Sequence, residues 1–128
     1  MRYRFAMEDD CLRAELVGRE TVAETVEFIT ALAAEAERTG ATRTLVWVRR
    51  SRPIFRVEQY RLSELFRQIA ANRDARVALL ADSEDVRAAH EYIEVLARQN
   101  GAAVRAFRDE ATARDWLGAE RLQSQEKR

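Results

Sequence analysis

At 128 residues, with 47% hydrophobic side chains, four Gly and one Pro, the chain has the size and apolar content of a single globular domain, which excludes a disordered or fibrous class. Its 22 basic and 22 acidic residues cancel, so no global field draws it to nucleic acid or to an anionic membrane. Apolar runs such as residues 77–81 fall well short of the roughly 20 residues of a membrane span, and Met1-Arg2-Tyr3-Arg4-Phe5 lacks a secretory pattern; with the lone Cys11, read as a buried structural thiol, this gives the expectation of a cytoplasmic protein.

Tyr3, Phe5 and Met7 alternate with Arg2, Arg4 and Ala6, and Leu12, Ala14 and Leu16 alternate with Arg13, Glu15 and Val17. Period-two runs of this kind are half-exposed strands, and the short acidic Glu8-Asp9-Asp10 between them predicts an antiparallel hairpin. From Thr21 the spacing becomes helical through Val22, Val26, Ile29, Ala33 and Ala36. Thr21 with Glu24 is a capping-box pair, and Gly40 is the natural stop because glycine reaches the left-handed conformation without a steric penalty.

Residues 44–48 are apolar on both strand faces, as in a central strand covered on two sides. An arginine-rich loop follows. Beyond Pro53, the positions Val57, Tyr60, Leu62, Leu65, Phe66 and Ile69 trace a second amphipathic helix ending near Asn72. Residues 77–81 repeat the buried-strand pattern. Asp82 and Ser83 are good caps for a third helix carrying Val86, Ala89, Ile93, Leu96 and Ala97, which Gly101 ends. Residues 104–107 form a last strand, and Asp109-Glu110 opens a short fourth helix with Ala113, Trp116 and Leu117. The order β-β-α-β-α-β-α-β-α predicts an α/β fold with a mostly parallel five-stranded sheet and an N-terminal antiparallel hairpin. One domain over residues 1–118 and a flexible polar tail over 119–128 are expected.

That order, the size, and the closing phrase from Val104 to Leu117, with its acidic cap followed by an alanine and a Trp-Leu pair, resemble the SpoIIAA-like (STAS-like) proteins of bacteria over residues 3 to 117. Members that antagonise anti-sigma factors carry a phosphorylatable serine in an Asp-Ser-Ser-Gly-Leu-Gly type motif where the second helix begins. Laid on this chain, that motif falls on Phe55, Arg56, Val57 and Glu58, none of them a hydroxyl residue, and Ser51 lies several residues too early. The resemblance therefore does not imply a kinase-operated switch. It does imply a fold shared with lipid-carrying SEC14 domains, and with it a small hydrophobic ligand.

The most distinctive local feature is Arg49-Arg50-Ser51-Arg52-Pro53-Ile54-Phe55-Arg56, with Arg61 about a turn later. It leaves the C-terminal end of the central strand, where open α/β sheets bind ligands. Guanidinium groups fork onto carboxylate or phosphate oxygens, so Arg49, Arg50, Arg52 and Arg56, with Phe55 as an apolar anchor, are the candidates for an anion or a protein partner. The clustering is tempered by composition, since all but one of the basic residues are arginine.

Ser51, Asp82 and Ser83 are secondary candidates because they stand at strand ends, although capping explains the last two. His90, the only histidine, borders the apolar stripe of the third helix and reads as a packed structural residue. No spacing promises a metal site, the four scattered glycines make no phosphate loop, and no catalytic constellation or cofactor is expected. The leading expectation is a non-catalytic interaction or regulatory module with a protein partner. The alternative is a carrier holding a small hydrophobic or anionic-headed ligand between the second helix and the sheet. A symmetric dimer through Trp116, Tyr60 or Tyr92 stays open.

Overall fold

A computed structural model describes residues 1–53 and 59–126, with side chains at 1–53 and 62–118. Among the described residues the strands are β1 (Arg2–Glu8), β2 (Cys11–Val17), β3 (Arg43–Arg49), β4 (Arg76–Ala81) and β5 (Val104–Ala106). The helices are α1 (Val22–Thr39), α2 (Gln59–Ala70), α3 (Glu84–Gln99) and α4 (Glu110–Glu126). The strands lie in the sheet in sequence order, β1 antiparallel to β2 and all the others parallel. The fold is therefore α/β, with the expected mixed hairpin at one edge.

Local chemistry sets the boundaries. Glu8 pairs with Cys11, which leaves Asp9 and Asp10 as the whole turn, and Asp9 takes a φ of 55° that a short polar side chain tolerates. At the start of α1 the Thr21 hydroxyl accepts the Glu24 N–H at 3.1 Å while the Glu24 carboxylate accepts the Thr21 N–H, also at 3.1 Å. Gly40, at φ 71°, donates back to the carbonyls of Ala36 and Glu37. Ser83 rather than Asp82 caps α3, accepting the Val86 N–H at 3.2 Å.

Because each of α1, α2 and α3 links neighbouring parallel strands in the same direction, right-handed crossovers put all three on one face. There Ala14, Leu16, Val46, Val48 and Leu79 meet Phe28, Leu62, Phe66 and Val86. Tyr3 and Phe5 of the hairpin close this face against Phe28, with ring centroids 5.7 and 6.1 Å from its ring. The opposite face carries α4 alone, with Leu45, Ala78 and Leu80 packed on Phe107, Ala113 and Leu117. Cys11 is half-buried beside this second cluster, at the strand start where α4 gives it only partial cover.

The sequence ends the fourth helix near Gly118, whereas the backbone stays helical to Glu126. Glycine inside a helix costs only about 1 kcal/mol, and Gly118, unlike Gly18, Gly40 and Gly101, is not in the left-handed region. Two strand arginines also grip the helix just before it: Arg43 donates to the Leu117 carbonyl at 2.7 Å and Arg76 to the Trp116 carbonyl at 2.6 Å. No described helix is long and apolar enough to cross a membrane.

Candidate ligand cavity

β2 ends at Val17, and the chain bends at Gly18, whose φ is 75°. Beyond it the backbone still runs beside the segment after β3. Gly18 N–H donates to the Arg49 carbonyl at 3.0 Å, Arg52 N–H to the Arg19 carbonyl at 2.9 Å, and Arg19 N–H to the Ser51 hydroxyl oxygen at 3.1 Å. This short ladder holds Arg19 inward, and only 7% of the residue is exposed. Its Nη2 donates to the Arg52 carbonyl, while its buried Nε has no hydrogen-bond partner. No carboxylate of the described residues forms an ion pair with it. Burial lowers its pKa from the ordinary guanidinium value, opposed by the charge of Glu24. A guanidinium nevertheless stays protonated in a protein.

His90, on α3, is 3% exposed, and its Nδ1 is likewise buried without a partner. Burial first, and then the nearby Arg19 charge, push the imidazole pKa down to about 4. It is therefore neutral at physiological pH and presents one donor and one acceptor.

Both side chains line a cavity of about 430 Å³ between the sheet and α1, α2 and α3. Its walls are apolar, among them Leu16, Phe28, Val46, Leu62, Phe66 and Ile93, and alanines at 33, 36, 41 and 75 leave the space their small side chains do not fill. Arg19 and His90 stand at the C-terminal edge of the strands, while the exposed Glu37, Gln68 and Asn72 rim the opposite edge. A groove of about 270 Å³ between α1 and α2, lined by Val26, Ile29, Ala33, Leu62 and Leu65, runs alongside and shares several of these residues. The volume lies within the roughly 300–1,000 Å³ of small-molecule sites, which are mostly apolar with a few convergent polar groups.

The arginine loop is distributed differently. Arg49 turns to the other face of the sheet, where its guanidinium lies 4.1 Å from the Trp47 ring centroid and pairs with Glu15 at 3.8 Å. Arg50 is exposed and holds a left-handed φ of 49°, pinned by its N–H donating to the Asp82 carboxylate at 3.0 Å. Arg52 is exposed, and its main chain binds Arg19. Phe55 and Arg56, with Ile54, lie outside the described residues.

Ser51 accepts from Arg19 and donates to the Arg49 carbonyl at 2.9 Å. Ser51, Asp82 and Ser83 thus serve backbone hydrogen bonds around the strand ends, and no hydrogen bond joins any of the three to His90. Among the described residues no three His, Cys, Asp or Glu side chains gather to hold a metal ion. Of the aromatic candidates for a dimer surface, Tyr92 is 41% exposed, while Trp116 packs on Phe107 at 5.5 Å between ring centroids; the Tyr60 side chain lies outside the described set.

Sequence reading passed over Arg19. In Val17-Gly18-Arg19-Glu20-Thr21 it looks like one more charge before a capped helix. The available signal was its place directly after a strand, at the sheet edge where α/β proteins bind ligands.

Fold and cavity together define an α/β domain with α4 packed on one side of its sheet and a cavity under the three helices on the other. Compared with family models, with curated proteins and with solved structures, the chain matches none.

Proposed function

We propose that this domain carries a small, largely apolar molecule with an anionic group, held between α2 and the sheet. The observation behind the reading is a buried arginine, its Nε without a hydrogen-bond partner, among the residues that line an apolar cavity. Burying an ion without a partner costs several kcal/mol, and a ligand anion would offset that cost while apolar walls shed water at about 25 cal/mol per Å². The resemblance to SpoIIAA-like proteins supports it through the scaffold they share with SEC14 carriers, a likeness of fold rather than of site. A protein-interaction role for the arginine loop has less support, because the Arg49 guanidinium is engaged by Trp47 and Glu15.

Native mass spectrometry of the purified protein tests the proposal. The expected result is added mass that organic extraction releases, after which the emptied protein takes up an apolar fluorescent dye. A bare apo mass together with no dye uptake would refute it.

A further inference from the structure

We infer that the anionic group of the bound molecule is a single carboxylate, taken by the Arg19 side-chain fork and the His90 imidazole where the cavity meets the C-terminal edge of the strands. The inference rests on the carrier reading above and adds the chemistry of the ligand's head. Three features of the site carry it.

The first is geometry. The guanidinium edge formed by Nε–H and Nη2–H matches the two oxygens of a planar carboxylate. Nε is unengaged, and Nη2 has a second hydrogen beyond the one given to the Arg52 carbonyl.

The second is charge. Among the described residues Arg19 is the only cationic side chain lining the cavity. One positive charge balances one negative charge. A phosphate monoester, with about −1.5 to −2 at neutral pH, would leave uncompensated negative charge in an apolar chamber.

The third is the orphan Nδ1 of His90, a second buried polar atom, on another residue that lines the same cavity. As Nδ1–H it donates to a carboxylate oxygen. An anion placed there also opposes the effect of Arg19 on the imidazole and favours its protonation. Among the described residues the charged groups near this end are Arg19, from the turn after β2, and Glu24, on the first turn of α1; the lining from α1, α2 and the strands is apolar apart from Thr25, Thr44 and the rim residues Glu37 and Gln68. The apolar length of the cavity, from this end to the rim at Glu37 and Asn72, suits a chain or ring system behind the head.

The test uses the extracted full chain at pH 7 and three probes with the same ten-carbon tail: decanoate, decanol and decyl phosphate, each titrated by calorimetry. A charge-assisted hydrogen-bonded pair predicts that decanoate binds about ten- to a hundredfold more tightly than decanol, with decyl phosphate no tighter than decanoate. Arg19→Met removes the charge and brings decanoate to decanol's affinity. Persistence of the preference in the folded variant would overturn the role of Arg19.

Equal binding of decanol and decanoate would overturn the carboxylate assignment and leave the carrier reading standing. A preference for decyl phosphate would overturn the monoanion. Binding of none of the three would overturn both readings. Should Arg19→Met fail to fold, NMR of the wild-type imidazole decides. Decanoate, and not decanol, is expected to raise the His90 pKa, and an unmoved titration would sink its part in the site.

Discussion

The two faces of the sheet treat the same residue type in opposite ways. On the α4 face, arginines are used up in stacking and pairing. Arg49 lies over Trp47, Arg76 over Trp116 at 5.0 Å, and Arg105 between Phe107 and Trp116 at 5.3 and 5.6 Å. Arg114 bridges Glu8 at 2.7 Å and Glu110 at 2.9 Å, and Glu110 also accepts the Trp47 indole N–H at 2.7 Å. That indole bond is the leading cause holding the Glu110 carboxyl below its usual range. On the α1–α3 face Arg19 stands buried beside an unfilled space with its Nε unpartnered, and the buried Nε of Arg87, on α3, also lacks a hydrogen-bond partner. A self-satisfied network is the mark of structure, and an unsatisfied buried donor invites a missing partner.

The comparison can be broken by mutation. The largest effect is expected on the α4 side. Leu80 is fully buried, and Leu80→Ala should cost about 2–5 kcal/mol, read from the denaturant midpoint at unchanged slope. A loss under about 1 kcal/mol would mean that this face is looser than described.

The next effect is a pH dependence from the hollow side. Above pH ~6.5 neither folded nor unfolded His90 binds a proton, and its contribution to stability is fully present. As pH falls, the unfolded chain takes up the proton first while the folded imidazole, with its pKa at about 4, resists. Stability is therefore lost progressively down to that pH, by about 3 kcal/mol in total at ~1.4 kcal/mol per pH unit. Denaturant titrations at pH 7, 6 and 5 should show the decline in wild type and a flatter profile in His90→Gln. The carboxyls with lowered pKa, Glu24, Asp109 and Glu110, act only further toward acid.

Adding bulk sharpens the contrast further. Ala78→Leu adds bulk at a fully buried position on the α4 face and should destabilise by about 1–3 kcal/mol. Val46→Leu adds one methylene to a cavity wall, and its cost should stay under about 1 kcal/mol while ligand uptake falls. Equal costs for the two would erase the distinction between the faces. Trp47→Phe removes the indole donor to Glu110 and should cost about 1 kcal/mol in thermal or chemical unfolding.

Much of the fold was legible in local sequence. The hairpin followed from alternation around Asp9 and Asp10, α1 from its capping box and Gly40, and β3 and β4 from their two-sided apolar runs. These signals depend on neighbours within a few residues, so the chain carries them wherever it goes. The far end of α4 was not legible. Gly118 is a plausible stop locally, and the grip of Arg43 and Arg76 on the carbonyls before it comes from strands 74 and 40 residues away.

The candidate site was legible only as a place. The C-terminal edge of the sheet was expected, but attention fell on the dense arginines of residues 49–56 rather than on Arg19. The sequence by itself determined which side chains turn inward, because hydrophobic period encodes direction. Only the tertiary structure decided how closely the inward faces meet. A cavity is set by the summed sizes of side chains from three helices and a sheet, and the burial of Arg19 is set by a loop more than thirty residues further along the chain. Neither quantity exists until distant segments are brought together.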